Sequence, residues 1–191
     1  MLKHSNLIEK CLESKSIFTG KLLHVLCDKV VLPDGRESTR EYIKHPGASV
    51  AIPYLNDKRV LLIRQFRYPV NRVMIELPAG KIDPDESPEN TIKRELEEET
   101  GYSSNNIIKL CMIHTCVGYS DELLHLFWAY DLKPCINKPD YDEKIELLPM
   151  NINDAMEMIY SGKVTDAKSI IGLFWADKII NNRQFSKRVL K

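Results

Sequence analysis

The feature that most constrains this chain is one short segment, residues 80–102, in which helix signals and acidic residues coincide. Ser87 followed by Pro88 predicts the start of a helix, because a serine side chain can accept hydrogen bonds from free backbone amides and proline at the first helical position has no amide hydrogen to lose. Gly101 predicts the end of the helix, since glycine readily adopts the left-handed conformation that closes one. We therefore expect one short helix between them.

Three glutamates of this helix, Glu95, Glu98 and Glu99, stand at the spacing i, i+3 and i+4, so they project from one face. Like charges this close repel, and they raise a carboxylate pKa unless something positive lies between them. Carboxylate oxygens suit Mg²⁺ or Mn²⁺, whereas zinc favours histidine and cysteine, which this helix lacks. Because protein-bound Mg²⁺ usually keeps water and phosphate oxygens in its shell, the pattern indicates a phosphate compound as substrate.

A solvated acidic helix face is the alternative, with Lys93 or Arg94 pairing with Glu97 or Glu98 at i+4. The spacing of the whole segment favours the metal site over this alternative. The segment resembles the Nudix hydrolase box at all of its defining positions. These positions are Gly80, Glu86, Arg94, Glu95, Leu96, Glu98, Glu99, Gly101 and the hydrophobic Tyr102.

Composition fits an ordinary soluble enzyme of 191 residues, long enough for one well-buried domain with a small extra element. Lysine plus arginine equals aspartate plus glutamate at 27 each, so no global field attracts nucleic acid or an anionic membrane. No apolar run is long enough to span a bilayer, and residues 1–15 are too polar for a signal peptide. Five cysteines without a CxxC pair fit reduced thiols. We expect a cytoplasmic protein that binds neither nucleic acid nor membrane.

Short alternating or apolar stretches predict strands on both sides of the acidic helix. They lie at residues 17–19, 22–31, 42–43, 48–54, 60–65, 74–77, 107–116, 123–131 and 145–148. Two further helices are predicted at residues 152–161 and 166–180. The apolar stripe of the second is expected at Ile170, Ile171, Phe174 and Ile179, and residues 187–191 are expected to fray.

Motifs outside the box are similar to the ADP-ribose pyrophosphatase and nucleoside diphosphate sugar hydrolase branch of the Nudix superfamily. They are Arg40-Glu41-Tyr42, His45-Pro46-Gly47-Ala48, Gln65-Phe66-Arg67-Tyr68-Pro69, Glu76-Leu77-Pro78-Ala79-Gly80, Gly118-Tyr119-Ser120-Asp121-Glu122 and Gly162-Lys163-Val164. The resemblance implies an α/β fold, the Nudix α/β/α sandwich with a mixed sheet, preceded by a small N-terminal antiparallel β region. It also implies a homodimer, with residues 1–46 forming the dimerisation region and residues 47–191 the Nudix hydrolase domain.

The same resemblance assigns the metal and its ligands. The expected ligands of Mg²⁺, or of Mn²⁺, are the side chains of Glu86, Glu95, Glu98 and Glu99 and the backbone carbonyl of Ala79. Arg94 is expected to orient the acidic face through a charge-assisted bond to Glu98 or a neighbour. Arg94 and Glu98 are therefore both counted among the catalytic residues.

The sequence identifies the substrate-binding residues less specifically than the metal ligands. Arg67 is expected to clamp phosphate, although a surface arginine beside a turn is the alternative. Arg40 is expected at the nucleobase or ribose of the partner subunit's site by resemblance, Tyr42 is a stacking candidate or a packing residue, and Glu122 is a further substrate-binding candidate.

The general base is expected on a loop well after the box, where the branch often places a glutamate. Glu143 is the first choice, because loop closure would bring it to the attacking water. Glu122 and the helix glutamates are the alternatives, and a merely solvated acidic loop is a third possibility.

One residue departs from the branch. Members that hydrolyse ADP-ribose usually carry proline before the glycine of the loop after the box, and this chain has Val117. Proline would stiffen that loop, so ADP-glucose, GDP-mannose and other nucleotide sugars stay open beside ADP-ribose.

The sequence as a whole predicts a Mg²⁺-dependent pyrophosphatase that splits a nucleoside diphosphate sugar into a nucleoside monophosphate and a sugar phosphate. The alternatives are a Nudix hydrolase of dinucleoside polyphosphates or coenzyme A, and a non-catalytic sensor of nucleotide sugars.

Overall fold

The computed structural model describes residues 5–136 and 144–190, and the chain divides into two compact units. The first unit comprises Met1–Pro46 and His114–Leu123, and the second comprises Gly47–Ile113 and Leu124–Lys191. The strands are β1 (Lys10–Thr19), β2 (His24–Val31), β3 (Glu37–Lys44), β4 (Ala48–Asn56), β5 (Arg59–Arg67), β6 (Arg72–Glu76), β7 (Ala79–Lys81), β8 (Tyr102–Ser103), β9 (Asn106–His114), β10 (Leu123–Tyr130), β11 (Lys133–Pro134) and β12 (Ile145–Asn151). The helices are α1 (Pro88–Thr100), α2 (Ile152–Tyr160), α3 (Ala167–Asn181) and α4 (Arg183–Val189).

The first unit contains an antiparallel three-stranded sheet with β2 in its centre, which confirms the predicted N-terminal β region. The structure begins β1 at Lys10, whereas the apolar pattern predicts a strand only from residue 17. Every residue of β1 is exposed, so this strand has no buried side to produce the alternation that sequence patterns depend on. Backbone pairing with β2 supplies the order instead.

The second unit is built on a seven-stranded sheet in which β12, β5, β4, β10 and β9 follow one another, with β6 paired to β5 and β7 to β4. The central strands β4 and β10 run parallel, with Ala48 opposite Leu124 and Pro53 opposite Ala129. The pairs of β5 with β4, β6 and β12 are antiparallel. The sheet is therefore mixed, as predicted.

Both faces of this sheet carry helices, because successive residues of a strand point to opposite sides. On one face Val50, Ile52 and Trp128 belong to a core that includes residues of α2 and α3. On the other face Ala51 and Phe127 pack with Ile92 and Leu96 of α1. The predicted α/β/α sandwich is confirmed, and it holds α1 against the sheet by the face that carries Ile92 and Leu96.

The apolar stripe predicted for α3 is wrong at one position. Phe174 is 46% exposed, and the buried face of the helix consists of Ser169, Gly172, Leu173, Ala176 and Ile179. This face is made largely of small residues because α3 lies close to the sheet, and such residues give no strong periodic signal in the sequence.

The C-terminal segment also differs from its prediction. Of the residues expected to fray, 187–189 belong to α4. Within this helix the ring of Phe185 packs against Trp175, with the two ring centroids 5.8 Å apart. Among the helices of the two described ranges, none combines the length and the apolar character needed to cross a bilayer.

Gly172→Ala should lower the free energy of unfolding, because an added Cβ would lie 2.3 Å from Leu77 Cδ1 and 3.3 Å from Ile52 Cγ1. We expect a net loss of about 1–2 kcal/mol, a packing penalty partly offset by the higher helix propensity of alanine. Urea unfolding measures it. Gly118→Ala is the control, since a Cβ there meets nothing within 4 Å. A Gly172 variant as stable as the wild type would contradict the close packing of α3.

Candidate active site

Helix α1 begins and ends where the sequence predicts. Ser87 caps its start by accepting a hydrogen bond from the Asn90 amide at 3.2 Å, with Pro88 as the first helical residue. At the other end Gly101 adopts the left-handed conformation with φ of 67°. These local signals fix where the helix begins and ends, and the burial of Ile92 and Leu96 then fixes the direction in which its glutamates project.

Arg94 lies among three of the predicted carboxylates. Its Nη1 donates to Glu95 Oε1 at 2.7 Å and to Glu98 Oε2 at 2.9 Å. Its Nε and Nη2 donate to the two oxygens of Glu86 at 3.2 and 3.0 Å. The hydrogen bond with Glu86 is the main reason that the pKa of Arg94 is raised and that the pKa of Glu86 is lowered. One guanidinium thus joins side chains that are up to twelve positions apart in the chain.

Glu99 has a different environment from the other glutamates. It is 4% exposed, and its Oε2 accepts a hydrogen bond from the Ala79 amide at 2.9 Å. The neighbouring Pro78 carbonyl accepts from the Ala51 amide at 2.8 Å. The segment that carries Ala79, a predicted metal ligand, is therefore held both by α1 and by the central strand β4.

Gly80 allows the acidic helix to approach this segment closely. A Cβ at this position would lie 1.8 Å from the carboxylate carbon of Glu95, so any side chain here would displace that carboxylate. The carboxylates of Glu95 and Glu99 therefore lie directly against the backbone of Gly80 and Ala79. This donor set, which contains no sulfur or imidazole, fits a hard divalent cation.

Three carboxylates of this patch, those of Glu86, Glu95 and Glu98, converge on Arg94. In residues 5–136 and 144–190, no three acidic, histidine or cysteine side chains converge on a common point as metal ligands do. Beside the patch is a cavity of about 440 Å³ lined by Arg94, Glu97, Glu98, Cys135 and Ile136. That volume lies within the range of small-molecule sites.

Arg67, the predicted phosphate clamp, is bound on one edge by Glu76. Its Nε and Nη2 donate to the two carboxylate oxygens of Glu76 at 2.8 and 3.0 Å. Lys168 also donates to Glu76. The sequence reasoning missed Glu76 and Lys168, although a glutamate inside the apolar stretch of residues 73–77 was a signal that a buried cation would accompany it.

Arg40 and Tyr42 lie on β3 in the first unit. Arg40 Nη2 donates to Glu9 Oε1 at 2.6 Å, and the Tyr42 hydroxyl donates to Asp28 Oδ2 at 3.2 Å. Both side chains thus have partners within their own unit, and their contacts with substrate stay predictions.

Glu122 belongs to the same unit. Its Oε2 accepts a hydrogen bond from Thr115 Oγ1 at 2.5 Å, and its Oε1 lies 3.7 Å from His45 Nδ1. Its binding of substrate is likewise still a prediction.

Val117, the departure from the branch pattern, lies in a turn and is 79% exposed. The turn is closed by the amides of Tyr119 and Ser120, which both donate to the Cys116 carbonyl at 2.9 Å. The Tyr119 carbonyl in turn accepts from the Ile43 amide at 2.8 Å. Hydrogen bonds to β3 therefore hold this loop where the branch uses a proline.

Glu143, the predicted general base, lies outside the described residues, as does the rest of residues 137–143. Its assignment stays a prediction.

Two family models match the chain. The model described as NUDIX domain matches residues 44–167, and the model described as nucleoside diphosphate sugar hydrolase N-terminal domain matches residues 9–43. The first covers well over half of the chain.

Several known proteins are similar over most of their length. An ADP-ribose pyrophosphatase of Bacillus subtilis is 38% identical over 166 residues, covering 86% of this chain and 90% of the relative. A methanol dehydrogenase activator of Bacillus methanolicus is 35% identical with the same coverage. A GDP-mannose pyrophosphatase of Cronobacter sakazakii is 37% identical over 145 residues, covering 71% and 75%.

A solved structure described as an ADP compounds hydrolase superposes with a TM-score of 0.82 over 92% of this chain and 95% of its own. At 20% identity it supports the fold alone. The family model, the relatives above 30% identity and the box on α1 agree, and the chain belongs to the NUDIX family.

Proposed function

We propose that this chain is a metal-dependent pyrophosphatase that hydrolyses the pyrophosphate bond of a nucleoside diphosphate sugar. The products are a nucleoside monophosphate and a sugar phosphate. The observation that carries the proposal is the patch in which Glu95 and Glu98 surround Arg94 while Glu99 holds the Ala79 amide. Together with Glu86, which also binds Arg94, four carboxylates there outnumber one guanidinium, so the patch favours a divalent cation and its phosphate ligands.

The substrate class rests on two further findings. The N-terminal region matches the nucleoside diphosphate sugar hydrolase model, and relatives named ADP-ribose pyrophosphatase and GDP-mannose pyrophosphatase are 38% and 37% identical. ADP-ribose, ADP-glucose and GDP-mannose are the substrates we propose to compare, because Val117 leaves the choice among nucleotide sugars open.

The cation we propose is Mg²⁺, with Mn²⁺ as a substitute. Its protein ligands are Glu95, Glu98, Glu99, the backbone of Ala79 and, from the loop before α1, Glu86. When bound, such a cation neutralises phosphate charge and lowers the pKa of a bound water.

The protein's own groups have separate tasks in this proposal. Glu99 fixes the position of Ala79 through its hydrogen bond at 2.9 Å. Arg94 keeps Glu95 and Glu98 in place through charge-assisted bonds. Arg67 binds the phosphates, and Glu143 takes the proton from the attacking water.

Arg40, Tyr42 and Glu122 complete the proposed substrate contacts. Tyr42 would offer a ring face to a nucleobase, a contact typical of tyrosine, and Arg40 would bind in the site of the partner subunit.

A homodimer is part of the proposal, with residues 1–46 as the dimerisation region and residues 47–191 as the Nudix domain. Within the first unit Leu12, Ile17 and Phe18 are each more than 50% exposed, and a second copy would cover such side chains. We also propose a cytoplasmic location, since all five cysteines are free and reduced thiols persist in that compartment.

The proposal predicts Mg²⁺-dependent turnover confined to nucleotide sugars. Purified protein is assayed with ADP-ribose, ADP-glucose, GDP-mannose, diadenosine polyphosphates and coenzyme A, and added phosphatase releases phosphate from the products. EDTA should abolish turnover and excess Mg²⁺ should restore it. Activity only on the last two substrates would overturn the substrate class, whereas tight nucleotide binding without turnover would identify a sensor.

Glu99→Gln should lower kcat by about a hundredfold or more, because it removes a metal-binding charge. The glutamine carbonyl can still accept the hydrogen bond from the Ala79 amide, so the fold should persist, and circular dichroism checks this. Glu89→Gln is the matched control, since Glu89 lies exposed in the first turn of the same helix. A Glu99 variant with near-normal kcat at saturating Mg²⁺ would contradict the ligand assignment.

A further inference from the structure

Glu76 is a buried carboxylate at the end of β6, and it binds two basic side chains, Arg67 and Lys168. It is 3% exposed. Arg67 donates to both of its oxygens, with Nε 2.8 Å from Oε1 and Nη2 3.0 Å from Oε2. Lys168 Nζ donates to Oε2 as well. A bidentate contact fixes the plane of a guanidinium, which a single hydrogen bond does not.

Lys168 ties this group to the start of α3. It is the second residue of the helix, its side chain is 12% exposed, and its Nζ lies 2.9 Å from Asp166 Oδ2. Asp166 caps the helix by accepting from the Ser169 amide at 3.0 Å and from Ser169 Oγ at 2.5 Å. The far end of the network is therefore a capped helix terminus, a rigid support.

The same helix terminus also holds the backbone next to Glu76. Ser169 Oγ accepts a hydrogen bond from the Leu77 amide at 2.7 Å. Both the side chain of Glu76 and the amide that follows it are thus fixed by residues 92 positions later in the chain. Ala79 lies two residues after Leu77. The start of α3 therefore supports both the contact of Glu76 with Arg67 and the backbone that leads to Ala79.

We propose that Glu76 and Lys168 are positioning residues for Arg67, which they hold in the orientation in which its guanidinium binds the phosphates of the substrate. This inference rests on the proposed function, which assigns Arg67 to those phosphates. Arg67 is suited to the role because its side chain is 39% exposed while that of Glu76 is 4% exposed. Glu76 is thus the buried support of this network, and Arg67 is its solvent-accessible end.

The charges of the network agree with this role. Burial raises the pKa of Glu76, but the hydrogen bonds and charges of Arg67 and Lys168 outweigh it, so the pKa of Glu76 lies below its usual value. Loss of Lys168 would remove one positive charge and leave Arg67 as the partner of the Glu76 carboxylate. The orientation of the Arg67 guanidinium should then be less fixed, while the groups on α1 stay unchanged.

A double-mutant cycle tests whether Lys168 acts through Arg67. Lys168→Met should raise KM for the nucleotide sugar about tenfold and leave kcat within about threefold, since it weakens binding and spares the chemistry. In an Arg67→Ala background the same substitution should change KM by less than about twofold. Lys168→Arg should restore most of the affinity. Lys178→Met, an exposed lysine of the same helix, is the matched control.

An equal effect of Lys168→Met with and without Arg67, or none on KM, would overturn the inference. Lys168→Gln, which keeps a hydrogen-bond donor, takes the place of the methionine variant if thermal unfolding shows that the latter does not fold.

A second readout needs neither metal nor turnover. The Nε–Hε resonance of Arg67, identified by its disappearance in Arg67→Lys, should exchange slowly with water because it is bonded to Glu76. Glu76→Gln and Lys168→Met should accelerate this exchange by about tenfold, whereas Lys178→Met should not. Unchanged exchange in the Glu76 variant would refute the positioning role. A wild type that fails to hydrolyse nucleotide sugars would instead overturn the proposed function, and the exchange rates would still decide whether Glu76 and Lys168 hold Arg67.

Discussion

The hydrogen bond from the Ala79 amide to the buried carboxylate of Glu99 joins the acidic helix to the segment that precedes it. It adds a direct polar bond to the packing of the apolar face of α1 on the sheet, and it sets the distance between the Glu99 carboxylate and the backbone of Ala79. Gly80 makes the approach possible, because any Cβ would overlap the Glu95 carboxylate. The site is therefore as much a property of this backbone segment as of the glutamates.

Charge balance is the second condition for the site. Glutamates on one helix face repel unless cations accompany them, and Arg94 accompanies three carboxylates at distances of 2.7–3.2 Å. Glu76 follows the same rule, because its buried carboxylate is accompanied by the positive charges of Arg67 and Lys168. In both places carboxylates bind an arginine through two or more of its nitrogens, so each guanidinium has a fixed orientation. Rigid charged groups of this kind suit a reaction in which phosphate charge must be held in place.

Features encoded by neighbouring residues were predictable from the sequence. Ser87, Pro88 and Gly101 act within one turn of their own positions, so the ends of α1 agree with prediction. The spacing of the box also placed Glu95 and Glu98 on one face, because helical geometry alone determines that.

Features that depend on distant residues were not predictable. The partner of Leu77 is Ser169, and the second cation of Glu76 is Lys168, each 92 positions away. The orientation of α3 was also missed at Phe174, since close packing of small residues against the sheet decides it rather than hydrophobic periodicity. Strand β1 gave little signal because neither of its faces is buried.

A Mn²⁺ titration followed by NMR tests directly whether the carboxylates of α1 bind a divalent cation, since the paramagnetic ion broadens the resonances of nearby amides. Broadening should appear first at the amides of Ala79, Gly80 and residues 95–99, and Mg²⁺ in excess should reverse it. Broadening centred on other acidic residues, or a uniform loss of intensity without a centre, would contradict the claim that these carboxylates form a divalent cation site.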